Sequence, residues 1–187
     1  MRSVSIFSVG LICGCTCLLL AQAPSSQGEA NRLATGMDQQ ILAKMHHVNQ
    51  MVINVGKLAE QKSDDPKVKR YARRLVRDHE LGDRKVTMLA KQLNLTLMTP
   101  QPQTPEEQQK MQMRMQMMDK LKTLSGKDFD NTFLPAMVHE HIEAITMLRN
   151  AEGKLPEQSP VRMLISKLLP ILQQDQQLAE DLQKPGR

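Results

Sequence analysis

Apolar residues recur along this chain at alternating steps of four and three, the spacing that lays one buried stripe along an α-helix. The stretch from about residue 37 to 62 carries Ile41, Met45, Val48, Val52, Val55 and Ala59 in this rhythm. A second run holds Val68, Ala72, Leu75, His79, Gly82, Val86, Leu89 and Leu93 without a break. Asp65-Pro66 stands before it, an N-cap acid followed by proline at the first helical position. A third run, about 128–151, places Leu134, Met137, His141, Ala144, Leu148 and Ala151 on one side, flanked by Phe129, Phe133 and Ile145. The last run opens at Ser159-Pro160 and aligns Val161, Leu164, Leu168, Ile171, Asp175, Leu178 and Leu182. Pro135 and Pro170 fall inside these two runs and predict bends. Gly56, in mid-helix, predicts a close approach of a neighbouring helix.

Between the second and third runs, residues 98–104 contain Pro100 and Pro102 and read as a loop. Thr104-Pro105-Glu106-Glu107 then opens a shorter helix, with cap, proline and early acids in place. It carries Met111, Met113, Met115, Met117 and Met118 among glutamines. Met111, Met115, Met118 and Leu121 make a buried stripe in the preferred reading; closely spaced thioethers that suit Cu(I) are the alternative. Ser125-Gly126-Lys127-Asp128 breaks this helix and can cap the next. Four long helices and one short one predict an all-α, antiparallel four-helix bundle over residues 37–183, with the Met/Gln-rich helix as an addition.

Composition agrees with one helical domain. The 187 residues are 40% hydrophobic, with no Trp, one Tyr and three Phe but 14 Met. A net charge of +5 does not by itself imply nucleic acid. Lys67, Lys69, Arg70, Arg73, Arg74 and Arg77 crowd the outer face of the second helix without aromatic residues that could stack on bases. That face reads as solvated surface, with peripheral contact to anionic membrane lipid as the alternative, and nucleic acid is not expected. Any further partner, protein or envelope surface, is unidentified by the sequence.

Cys13, Cys15 and Cys17 all fall in an apolar N-terminal segment that reads as an export signal over residues 1–23, ending at Ala21-Gln22-Ala23. Ile12-Cys13-Gly14-Cys15 loosely resembles a lipobox with lipid at Cys15, but the apolar residues that follow favour simple cleavage. The expected product is an exported protein, periplasmic or associated with the outer membrane, without thiols in its mature form. Residues 24–36 read as a flexible tether and 184–187 as a disordered tail.

Candidate chemistry lies in the interruptions of the stripes. His79, His141 and Asp175 each occupy an apolar position, so if their heights coincide they converge in the bundle core. Two readings follow. The preferred one is a dry hydrogen-bonded network in which the carboxylate pins a histidine tautomer; the other is a site for Zn, Fe or Cu. The first helix offers Val52, Asn54, His46 and His47 nearby, the histidines reading as boundary residues. Asp78 and Glu140 precede the two histidines and point about 100° away, suited to supporting or surface roles. The chain contains no Glu-x-x-His pair, no Gly-rich phosphate loop and no His-Glu-x-x-His, so catalysis is not expected.

Several segments, in order and spacing, resemble the bacterial domain of unknown function 4142 family. They are Gly56-Lys57-Leu58-Ala59, residues 68–79 from Val68 through Arg77-Asp78-His79, Leu124 to Asp130, Met137-Val138-His139-Glu140-His141, and Leu169-Pro170-Ile171-Leu172. The resemblance covers about residues 38–182. It implies an exported protein with a ferritin-like helical bundle and brings no settled activity. The family commonly has Glu near position 52, Asp-His on the third long helix and His near position 175. This chain has Val52, Glu140-His141 and Asp175 there. The leading expectation is an exported, non-catalytic binding or structural module of the cell envelope. A metal-binding bundle using His79, His141 and Asp175 is the alternative.

Overall fold

Three helix starts are built by the caps visible in the sequence. Asp65 accepts the Lys67 amide at 2.6 Å at the head of α2 (Pro66–Gln92). Thr104 accepts the Glu107 amide at 3.1 Å at the head of α3 (Pro105–Thr123), while Glu107 reaches back to the Gln103 amide. Ser159 caps α5 (Pro160–Gln183) through the Arg162 amide. The remaining elements are α1 (Ser26–Lys62) and α4 (Gly126–Glu152). The computed structural model describes residues 26–184, with side chains described from residue 35. The expected signal segment and its cysteines, and residues 185–187 of the expected tail, lie outside the described residues.

Two boundaries differ from the sequence reading. α1 begins at Ser26, so residues 26–36 of the expected tether are helical; polar residues prolong a helix whose stripe starts later. Ser125 precedes α4 without a side-chain capping bond, and the chain instead turns through Gly126 at φ +55°. A Cβ on Gly126 would sit 2.9 Å from the Asp64 carboxylate. At the end of α2, Asn94 takes the left-handed position (φ 54°). The Leu95 amide then returns to the Ala90 carbonyl and the Asn94 amide to Lys91, closing the helix with a Schellman motif.

α1 pairs with α2 and α4 with α5, and the two pairs meet through α2 against α5 and α1 against α4. Short links, residues 63–65 and 153–159, make each pair an antiparallel hairpin. α3 returns the chain from one end of the bundle to the other and touches mainly α4. One crossover between two hairpins is the connectivity of ferritin-like bundles. None of the described helices is long and apolar enough to cross a membrane.

The core has two apolar halves. One gathers Val52, Val55, Leu75, Phe129, Phe133 and Ala179; the other gathers Leu42, Val86, Ile145, Leu148, Val161 and Ile165. The stripes drawn from spacing are largely buried. On α4, however, Phe129, Phe133 and Ile145 are core residues rather than flanks. The methionine helix departs most. Met111, Met113, Met115 and Met117 are exposed, and within α3 only Leu121 is buried. Along its first turns ion pairs bind α3 to the bundle, Lys44–Glu107, Lys110–Glu143 and Arg114–Glu140, and at its end Met118 and Leu121 pack on the core.

Gly56 lies at a close contact of α1 with α2. A Cβ there would stand 2.8 Å from Val76 Cγ2 and 3.3 Å from the Ala72 carbonyl oxygen. Val76 is β-branched and stiff, so the helices must shift to admit it. Gly56→Ala should therefore lower stability, the overpacking cost of about 1–3 kcal/mol exceeding the roughly 1 kcal/mol gained in helix propensity. Urea unfolding of both proteins measures the difference.

Candidate functional site

The polar interruptions of α2, α4 and α5 fall at one height, between the two apolar halves of the core. His79 follows Leu75 and precedes Val86, His141 lies between Met137 and Ile145, and Asp175 lies between Leu168 and Ala179. All three are buried, at 4%, 2% and 0% exposure. The imidazoles meet edge to face across the bundle, with ring centroids 5.7 Å apart. One ligating atom from each of the three side chains lies within 4.8 Å of the other two.

Each side chain is held from one side and bare on the other. His79 Nδ1–H donates to Asn49 Oδ1 at 2.9 Å, and His141 Nδ1–H donates to the Met137 carbonyl at 2.7 Å. These carbonyl acceptors fix the proton on Nδ1 and leave the Nε2 lone pairs free. Asp175 Oδ1 accepts from Arg74 Nε at 2.8 Å. His79 Nε2, His141 Nε2 and Asp175 Oδ2 are buried and have no hydrogen-bond partner among the described residues. The expected dry network, with a carboxylate pinning a histidine tautomer, is therefore not what forms. An amide and a backbone carbonyl pin the tautomers, and the carboxylate answers an arginine.

Two of these supports, Asn49 and Arg74, escape a spacing argument. Asn49 sits four residues after Met45 and three before Val52, so it belongs to the stripe by period, but its neighbour Val48 fits as well. Asn54, the amide expected near the site, is exposed, and Val52 is core. Arg74 reads as one of six cations on an outer face, yet its guanidinium turns inward to Asp175 and also meets Asp78 at 3.3 Å. Asp83, one turn beyond His79, accepts from His46 Nδ1 and from Gln50, both at 2.7 Å. Asp78 pairs with Arg74 and Arg77 beside the site, whereas Glu140 pairs with Arg114 of α3. His47 is exposed.

Electrostatics follow from burial. His79 is pushed down to about 3, by desolvation first and by His141 second. Desolvation also lowers His141, against the Met137 carbonyl and the nearby carboxylates. Burial raises the Asp175 carboxyl, opposed by the Arg74 hydrogen bond and by His141. Both imidazoles thus present neutral, metal-competent nitrogens at neutral pH. A cavity of about 40 Å³, lined in part by Asn49, Asp78, His79, Gly82 and Leu168, adjoins the layer. That exceeds the roughly 10–15 Å³ that a water needs.

Two predictions follow from this geometry. Arg74→Met leaves the Asp175 carboxylate buried and uncompensated, at a cost of about 3 kcal/mol, the low end for such pairs because Arg74 is 27% exposed. Arg77→Met, on an exposed pair, should change stability by less than about 1 kcal/mol; denaturant unfolding separates the two. The second prediction concerns acid. The unfolded chain accepts a proton on His79 below about pH 6.5 that the folded chain refuses until about 3. The stability from the neutral imidazole is thus complete above 6.5 and is lost as pH falls through that window. Asp175, raised by burial, acts in the opposite sense and offsets part of the loss. Unfolding midpoints between pH 7 and 4 should fall for the wild type and fall less for His79→Leu.

The family model of a domain of unknown function, DUF4142, matches residues 22–182. No curated protein matches the sequence. Among solved structures, a DUF305 protein from Streptomyces coelicolor, thought to be secreted, is similar at 19% identity and a TM-score of 0.65. The match covers 80% of this chain and 93% of that one. CopM in its Cu(II)-bound form is similar at 21% identity and a TM-score of 0.59, covering 78% of this chain and 95% of that one. Its Cu(I)-bound form gives 20% identity and 0.61, covering 78% and 94%. At these identities the likeness is one of fold.

Proposed function

The chain belongs to the DUF4142 family, and we propose that it is an exported, non-catalytic bundle protein that binds a divalent transition-metal ion through His79, His141 and Asp175. One observation carries this reading: three buried side chains from three helices each keep one ligating atom without a partner. Buried polar atoms are ordinarily satisfied, and three orphans in one layer are costly unless something fills the space between them. Two neutral imidazole nitrogens and a carboxylate oxygen form a borderline donor set, suited to Zn(II), Cu(II) or Fe(II). Cu(II) is the tightest of these on the general affinity order. The supports have the character of an outer shell, with Asn49 and the Met137 carbonyl orienting the imidazoles and Arg74 the carboxylate.

The replacement of the family's histidine near position 175 by aspartate exchanges one ligand for another and does not remove it. Val52 packs in the core and leaves the site to three protein ligands. Four of the five α3 methionines, Met111, Met113, Met115 and Met117, are exposed, and the set draws on α2, α4 and α5. Export is supported by the N-terminal signal pattern. Copper in the CopM structures belongs to CopM, and the ion proposed for this chain rests on its own side chains.

Protein purified without a His tag or chelating column should take up about one equivalent of Cu(II) or Zn(II), read by elemental analysis after desalting. At a free metal concentration 100 times Kd, linkage should add about 2.7 kcal/mol to stability and raise Tm accordingly. The His79→Leu/His141→Leu variant should fold, hold no stoichiometric metal and show no metal-dependent rise. A folded wild type that takes up none of the three metals removes this reading.

A further inference from the structure

Tyr71 is the chain's one tyrosine, buried at 4% exposure, and its hydroxyl has no hydrogen-bond partner among the described residues. Buried phenols ordinarily find a partner. The ring tilts against Phe133, centroids 6.1 Å apart, one turn before the Met137 carbonyl that holds His141. On α2, Tyr71 precedes Arg74 by three residues and so lies on the helix face from which the guanidinium reaches Asp175 Oδ1. Burial raises the phenol's pKa first, and Asp175 and then Arg74 are the charges it feels. An unpartnered donor and an unpartnered acceptor, Tyr71 Oη and Asp175 Oδ2, thus occupy one buried neighbourhood without being bonded to each other.

We propose that Tyr71 is a positioning residue of the cation site, its hydroxyl donating to Asp175 Oδ2 when that oxygen ligates an ion. The inference rests on the metal-binding reading above. A carboxylate oxygen has two lone pairs, so Oδ2 can hold the ion with one and accept the phenol with the other. Arg74 alone anchors one end of the carboxylate; a second anchor fixes its plane. Arg74 brings a positive charge close to the cation, whereas the phenol brings a donor without charge. Ligating carboxylates are generally hydrogen-bonded in this way, and losing such a support typically costs about 10–100-fold in metal affinity.

The test uses the full exported chain and its Tyr71→Phe variant, each titrated with Cu(II) and with Zn(II). Phe keeps the ring and deletes only the orphan hydroxyl, so the metal-free Tm should stay level or rise. Metal affinity should fall by about ten-fold or more, and the Cu(II) electron paramagnetic resonance parameters should change. Unchanged Kd and an unchanged spectrum overturn the inference, whatever happens to the metal-free Tm. A phenolate-to-Cu(II) charge-transfer band in the wild type also overturns it, because Tyr71 is then a ligand and not a donor. Absence of binding by both proteins overturns the cation site itself, an outcome distinct from equal affinities.

Discussion

A layer of polar side chains divides the apolar core of this bundle, and the geometry around it follows from the need to satisfy that layer. Burial in a low-dielectric interior makes each unpartnered nitrogen or oxygen expensive. The chain meets the requirement halfway. Asn49, the Met137 carbonyl and Arg74 take up one atom each of His79, His141 and Asp175, and the opposite atoms stay buried without a partner among the described residues. Apolar residues at these three positions would pack with less difficulty. Two imidazole nitrogens and a carboxylate oxygen in that layer are the donor set on which the proposed cation site rests.

The bundle was legible because its information is periodic and local. Four-three spacing identifies the buried faces, and Asp65-Pro66, Thr104-Pro105 and Ser159-Pro160 mark helix starts by chemistry that acts over three residues. Periodicity also singled out His79, His141 and Asp175, since a polar residue in an apolar stripe is a visible anomaly. Depth is not periodic. That these three share a height depends on how α2, α4 and α5 slide along one another, which the linking loops and the crossover determine. Arg74 was misplaced for a related reason: its Cα is on the rim, and a long side chain can reach either way. Asn49 was obscured by Val48, because either residue satisfies the helical period.

α3 shows the limit of pattern in another form. Its methionines follow a helical spacing that fits a buried stripe, yet Met111, Met113, Met115 and Met117 are exposed, Met118 is half-buried against the core, and only Leu121 is fully buried. A helix that spans the bundle from end to end is constrained by where it must start and finish. Once both hairpins have closed the core, little apolar surface remains for it to cover. Along its first turns charge does the attaching, with Arg114 gripping both oxygens of Glu140 and Lys110 bridging Glu106 and Glu143. Such contacts weaken with salt where core contacts do not.

The seam between the two hairpins has a further consequence. α1 and α2 can form a pair through a short link, and so can α4 and α5, because each is local in sequence. His79 and Asn49 belong to the first pair, His141 and Asp175 to the second, and the Arg74–Asp175 bridge joins residues 101 apart in the chain. Neither hairpin alone contains the polar layer. It comes into being only when the two halves dock, so any ligand of that layer acts as a latch on docking. A ligand that needs donors from both hairpins would favour the docked molecule over its separated halves.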